Sequence, residues 1–201
     1  MEVFCLKRGI FIASCVLFLT GCVFDEKGDE GSSSASSNTN NSNSTSTQPT
    51  VINGHTLPPE PDPIVNDSTL LGIDVNGNGV RDDVERKIYL TFNKEVKRQY
   101  YMQEARLLQA MLGDPELIQN AHAWQKKNNY DIACGSYLYR KHKVILKLEN
   151  IQFVEEAVLT TKDRLRKYLK YDRELSGGVY SVPNEIRVES SCDFNVTEAL
   201  K

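Results

Sequence analysis

A run of twenty residues with almost nothing to bury sets the terms for the whole chain. Gly31 to Thr50 is nearly pure Ser, Asn and Thr, and Leu57 to Pro63 carries four prolines. Such segments cannot offset the roughly 1–2 kcal/mol of backbone entropy that each ordered residue costs. From about Asp25 to Asn66 the chain reads as a tether, flexible coil first and stiff polyproline-like spacer second. Cooperative folding is therefore expected in the body that follows. Between Asn66 and Lys201 that body holds 21 basic and 20 acidic residues. A balance of +1 gives no electrostatic case for nucleic acid as the main partner. Over the whole chain, 40% hydrophobic and 25% charged residues argue against wholesale disorder and against a multi-span membrane protein.

The N-terminus predicts an export signal over residues 1–21. Lys7 and Arg8 supply a positive start, and Ile10 to Leu19 an apolar run. That run is shorter than the roughly 20 apolar residues needed to cross a bilayer core. It ends in Leu19-Thr20-Gly21-Cys22, which resembles the lipobox of bacterial lipoproteins. The resemblance implies cleavage before Cys22, diacylation of its sulfur and acylation of the new N-terminus, as with palmitate. Only a thiol can form the thioether that holds the glyceride. Several acyl chains, at about 0.8 kcal/mol per buried CH₂, make a stable anchor. Val23 in place of Asp implies, by the same family analogy, sorting to the outer membrane. A coil of about 42 residues spans on the order of 35 Å, so residues 22–66 would hold the domain 67–201 off the bilayer yet near it.

This address decides the cysteines. Cys5 and Cys15 leave with the signal and Cys22 is consumed by lipid, leaving Cys134 and Cys192. In an exported, oxidising compartment the expectation is a disulfide between them. It would close a loop of about 59 residues, worth roughly 4 kcal/mol in the chain-entropy account. The competing assignment is a reactive Cys134 paired with His122 or His142. Without a CxxC or a flanking catalytic signature, the staple is the stronger reading.

The sharpest motif is Asp74-Val75-Asn76-Gly77-Asn78-Gly79-Val80-Arg81-Asp82-Asp83-Val84-Glu85. It resembles the EF-hand calcium loop, D-x-[DN]-x-[DN]-G-x₅-E, at every specified position. Calcium takes 6–8 hard oxygens, and a loop wrapped round one ion presents alternate residues to it. The resemblance assigns side-chain oxygens to Asp74, Asn76 and Asn78, a backbone carbonyl to Val80, and a direct or water-mediated oxygen to Asp82. Glu85 would close the sphere bidentately, and Gly79 permits the sharp turn. Two asparagines leave three carboxylates, which implies a weaker site than an all-acidic loop. Two features depart from a full EF-hand. The prolines of 58–63 and Leu70-Leu71-Gly72-Ile73 leave no room for an entering helix, and Arg81 stands where paired loops usually carry an aliphatic residue. With no second copy of the motif, the chain looks like a single EF-hand-like loop opening a helix, a form met in uncharacterised exported lipoproteins of bacteria. The bland alternative is an Asx-rich turn that caps a helix, Asp82 and Asp83 favouring its positive end.

Downstream the periodicity is helical. Val84, Ile88, Phe92 and Val96 recur at i+4, followed by Tyr101, Ala105, Leu108 and Leu112, with a break near Asn93. Gly113-Asp114-Pro115 predicts a stop and a restart. The next helix carries Leu117, Ile118, Ala121 and Trp124 and ends at Asn128-Asn129. Another, opened by Asp131, is expected to run through Ile132, Val144, Leu148, Ile151 and Val158. Thr161 caps a last helix that lays Leu165, Tyr168, Leu169 and Leu175 on one face and stops at Gly177-Gly178. Glu185 to Glu189 alternates like a short strand. The expected fold is mainly α: a small bundle of four to five helices, preceded by the calcium-loop motif, with an irregular or β tail tied by a disulfide.

Nothing in the sequence spells a reaction. HExxH, GxSxG and phosphate-cradling glycine loops are absent from it, so no enzyme is expected. Tyr100, Tyr101, Tyr137, Tyr139, Tyr168 and Tyr171 fit helix packing better than a carbohydrate platform. The basic runs Arg140–Lys143 and Lys162–Lys170 fit solvated faces, with attraction to anionic envelope polymers as the sharper alternative. The leading expectation is a lipid-anchored, calcium-stabilised interaction module of the outer membrane, with an unidentified envelope protein or polymer as partner. An accessory subunit of a surface or secretion assembly comes second. An envelope-polymer hydrolase using Glu155 and Glu156 comes third.

Overall fold

The computed structural model of the protein describes residues 50–180 and 189–201. The signal segment, Cys22, most of the tether and residues 185–188 of the expected strand lie outside the described residues. Charge and periodicity together explain where α2 (Asp82–Thr91) forms. Asp82, Asp83 and Glu85 fill its first turn, where acids complement the positive helix end. Val84 and Ile88, four apart, are fully buried. The chain turns at Phe92 into α3 (Glu95–Gly113), with Lys94 at the N-cap position and no side-chain bond there. Tyr101, Ala105, Leu108 and Leu112 of α3 are buried, as are Tyr100 and Met111 on other faces. A helix apolar on several sides belongs in the middle, and α3 is packed by α2 and by four later segments described below.

Those segments are α4 (Ala121–Lys127), α5 (Tyr130–His142), α6 (Leu148–Val158), α7 (Lys162–Glu174), a 3-10 turn at Glu189–Ser191 and α8 (Val196–Ala199). Of these, α5, α6, α7 and α8 touch α3, while α4 lies on α7. The expectation of a mainly helical body holds. So does the staple: Cys134 of α5 is bonded to Cys192, beside the 3-10 turn, with both cysteines buried and their Cα atoms 4.8 Å apart. No helix among the described residues is long and apolar enough to cross a membrane.

Several boundaries differ from expectation, each for a physical reason. The long helix expected from Asp131 to Val158 is two helices. Lys143 adopts φ +56°, and the amides of Lys143 and Val144 return to the carbonyls of Tyr139 and Leu138. This is a left-handed helix stop made without glycine. Arg140, Lys141 and His142 fill the last turn of α5, where cations suit the negative end. After Gly113 the chain makes turns that bury Leu117, and regular helix resumes only at Ala121. On α7 half of the expected face packs inward, with Tyr168 buried and Leu175 against the core; Leu165 and Leu169 are 39% and 44% exposed, and Arg164 and Tyr171 take the inward positions instead.

Residues 51–66, read above as the end of the tether, are ordered against the body. Val51–Ile52 and His55–Thr56 pair as β1 and β2 across Asn53-Gly54, both with positive φ, the backbone a two-residue hairpin requires. Leu57 is buried. Asp62 caps the short α1 (Pro63–Asp67), accepting from the amides of Ile64 and Val65.

Arg164 fastens this incoming segment. Its fully buried guanidinium donates to the carbonyls of Asn66, Thr69 and Leu70, to the Asp67 carboxylate and to the Thr160 hydroxyl, at 2.6–3.0 Å. Burial lowers its pKa, as does the neighbouring charge of Arg81. Removing the side chain would orphan three carbonyls at 1–3 kcal/mol each. Arg164→Met is therefore expected to lower unfolding free energy by about 3–5 kcal/mol. Limited proteolysis should then cut first between residues 57 and 72, while the α3 core stays protected.

Candidate calcium site

The loop 74–85 hangs between two fixed ends. Upstream, the buried Asn66 Oδ1 accepts from the Ile73 amide at 2.9 Å. Gly72, at φ +66°, lies flat on Arg81; a Cβ there would stand 2.3 Å from Arg81 Cδ, so no larger residue fits. Downstream, the Asp82 amide donates to the Ile73 carbonyl at 2.8 Å, closing the loop at the start of α2. Gly79 takes φ +82° and makes the turn between these ends.

Within that frame the loop side chains bond to loop amides and, for two of them, to Glu85. The Asp74 carboxylate accepts from the amides of Asn78 and Gly79 at 3.2 and 2.8 Å. Asn76 and Asn78 accept from the amides of Asn78 and Val80 at 3.1 and 2.9 Å. Their Nδ2 groups both donate to Glu85 Oε2, at 3.1 and 2.6 Å, and Glu85 is fully buried. Asp82, also fully buried, accepts from the Val75 amide through Oδ1 at 3.1 Å, and its Oδ2 has no partner among the described residues. Burial raises the Asp82 pKa, and so do the charges of Asp74, Glu85 and Asp83. The Val80 side chain is sunk in the core, so the backbone carbonyl is the oxygen that residue has to lend.

This donor set suits a hard divalent cation in kind: three carboxylates, two amide oxygens and one carbonyl, with a bidentate Glu85 giving the 6–8 oxygens calcium takes. The orphaned Asp82 oxygen is the strongest sign of fit, because a buried carboxylate without a partner is costly. The carboxylates themselves are not gathered; among the described residues no group of three or more His, Cys, Asp or Glu side chains is close enough to hold a metal. Glu85 is instead surrounded by N–H donors. Calcium would take over their role only if each Asn amide made the half-turn that exchanges its nitrogen for its oxygen.

The sequence reading missed two partners of the loop. His55 Nε2 lies 2.5 Å from Glu85 Oε1, and its ring stacks on Tyr89 at 4.3 Å between centroids. The only sequence signal was Asn53-Gly54, a hairpin turn lying in a polar tract. Arg81 is fully buried rather than offered to a second loop. It forks onto Asp83 at 2.5 and 3.0 Å and donates to the Ala157 and Val158 carbonyls at 2.8 and 3.0 Å, capping α6.

The other candidates do not assemble into a site. Cys134 is in the disulfide, which removes it as a nucleophile. His142 sits by the Tyr137 hydroxyl at 3.4 Å, and His122 lies on the surface against Tyr180. Glu156 is exposed, while Glu155 is half-buried and faces the Tyr168 hydroxyl at 3.4 Å. No protein-family model, curated protein or solved structure matches the chain.

The Arg81–Asp83 pair should be visible in acid. Burial works against the ionised Asp83, but the Arg81 hydrogen bonds and charge, with Lys87, outweigh it and hold the pKa below the ordinary 3.8. A depressed carboxyl contributes stability above its unfolded value and loses it as pH falls through the folded one. Urea unfolding of the native chain should therefore weaken progressively below about pH 4. Asp83→Asn should flatten that limb and lower stability at neutral pH.

Proposed function

We propose that the chain is an envelope lipoprotein, anchored by acyl chains on Cys22 at the outer membrane. Its body is an interaction module stabilised by one calcium ion bound by Asp74, Asn76, Asn78, Val80, Asp82 and Glu85. The observation that carries the calcium reading is the buried Asp82 oxygen, without a partner among the described residues, in a loop whose two asparagines turn toward Glu85. The lipobox-like Leu19–Cys22 and the Ser/Asn/Thr tract support the anchor and the reach. The ion's role in this reading is structural. It joins the loop to the first turn of α2, so its binding free energy adds to folding free energy.

Thermal unfolding of residues 46–201, which form one compact unit, tests the ion. The segment must begin upstream of Leu57 and His55, since both belong to the packed structure. At calcium about 100-fold above its dissociation constant, stabilisation should be about 2.7 kcal/mol over excess chelator. For a domain of this size that is roughly 5–10 °C. Asp74→Ala/Glu85→Ala should remove the difference. Asp82→Asn should also remove it, yet in chelator its melting temperature should equal or exceed the parent's, because a buried unpaired charge is gone. Superimposable curves for the parent with and without calcium would reduce the loop to a helix-opening turn. Labelled palmitate incorporated by the full chain and lost in Cys22→Ser tests the anchor separately.

A further inference from the structure

The outward face of α7 is the surface least explained by the fold. At 3.6 residues per turn, Lys162, Leu165, Arg166, Leu169, Lys170 and Arg173 fall within an outward arc of about 140°, and all six are exposed. The arc itself holds four cations; Asp163, Asp172 and Glu174 lie at its margins, with Asp163 on Arg166 at 3.2 Å and Glu174 on Arg173 at 3.5 Å in solvent-exposed pairs that a phosphate can replace. Two leucines, 39% and 44% exposed, sit among the cations. On one flank an open hollow of about 560 Å³ is floored by Leu70 and Ile118 and rimmed by Asp163, Arg166, Lys167 and Lys170. The inward face, with Arg164, Tyr168 and Tyr171, holds the helix rigidly to the body.

We infer that this face docks the body onto a membrane surface containing anionic lipid. The four cations meet the headgroup phosphates, and Leu165 and Leu169 enter the boundary with the acyl region. Charge complementarity selects an anionic partner. The two leucines select lipid over a soluble polyanion, which offers them no apolar medium. A second copy of the chain is disfavoured, since a two-fold contact would set one net cationic face against another. The inference rests on the proposed anchor in one respect. A body tethered within about 35 Å of a bilayer meets it at high effective concentration, so modest attraction is enough.

Trp124 provides the probe. It is the only tryptophan in the chain and packs edge-on against Tyr171 of α7, 5.6 Å between centroids. The full chain, with its native lipid, is mixed with vesicles carrying a trace of dansyl-headgroup lipid. One set is phosphatidylcholine alone; the other also contains phosphatidylglycerol. Energy transfer from Trp124 should rise with phosphatidylglycerol. Lys162→Glu/Lys170→Glu should lower the docked-to-free ratio on the order of 25-fold or more. Leu165→Ser/Leu169→Ser should also lower it, while Lys141→Glu/Lys147→Glu, an equal charge change elsewhere, should not. Equal transfer in the two lipid mixtures would overturn the inference. So would a loss matched by Lys141→Glu/Lys147→Glu. Sensitivity to the lysines but not the leucines would overturn the lipid assignment in favour of a polyanion. Flotation with pure phosphatidylcholine vesicles reads the anchor alone. Its failure would defeat the anchor while the transfer comparison still decides the docking face.

Discussion

The two buried guanidiniums of Arg81 and Arg164 are the interactions on which the arrangement of this molecule depends. Each ties backbone carbonyls that regular secondary structure leaves unpaired. Arg164 takes those of Asn66, Thr69 and Leu70; Arg81 takes those of Ala157 and Val158 at the end of α6. The planar, five-donor geometry of arginine suits this task, and a lysine could not reproduce it. The charges also repel one another, as the lowered pKa of Arg164 records. Asp83 and Asp67 offset that repulsion at opposite ends of the pair. Through these contacts the loop before α2, the corner between α6 and α7, and the incoming chain become one rigid corner.

That corner gives the loop its character. A free twelve-residue segment rich in Asn and Gly would sample many shapes, and ordering it would consume much of any ion's binding free energy. Here the backbone between Ile73 and Asp82 is held at both ends, and the loop amides already occupy Asp74, Asn76 and Asn78. What differs between the hydrogen-bonded loop and a metal-bound one is local: two amide half-turns, the His55 contact and the free Asp82 oxygen. Glu85 is the pivot, because amide nitrogens, imidazole and cation all need the same two oxygens.

Much of the fold could be read from the sequence wherever a local rule applied. The i+4 rows of α2 and α3, the stop at Gly113 and the Thr161 cap follow from neighbouring residues, and elimination among the cysteines left Cys134 and Cys192. The failures share a cause. Lys143 ends α5 in a conformation usually reserved for glycine, so the residue carried no signal. Arg164 looked like one of several solvated cations on a basic helix; its partners lie 94–98 positions away, beyond any periodicity argument. Once Arg164 turns inward, Leu165 and Leu169 turn outward, which is why only Tyr168 and Leu175 of the expected α7 face meet the core. In the loop, the motif pointed to Asn76, Asn78 and Glu85, which hydrogen bonds bring together, but not to His55, which arrives from a segment that composition marks as spacer.

The strap formed by residues 51–70 also decides how a mechanical load would travel through the molecule. A pull on the chain upstream of Thr50 reaches the small hairpin first. Next come the contacts of Arg86 with Glu60 and the Pro58 carbonyl, which are partly open to water. The buried Arg164 is reached last. The hairpin carries His55, so the first contact to part is the one on Glu85. Tension would thus uncover a carboxylate oxygen of the loop while the loop's own frame stays clamped, and slack would let the imidazole return.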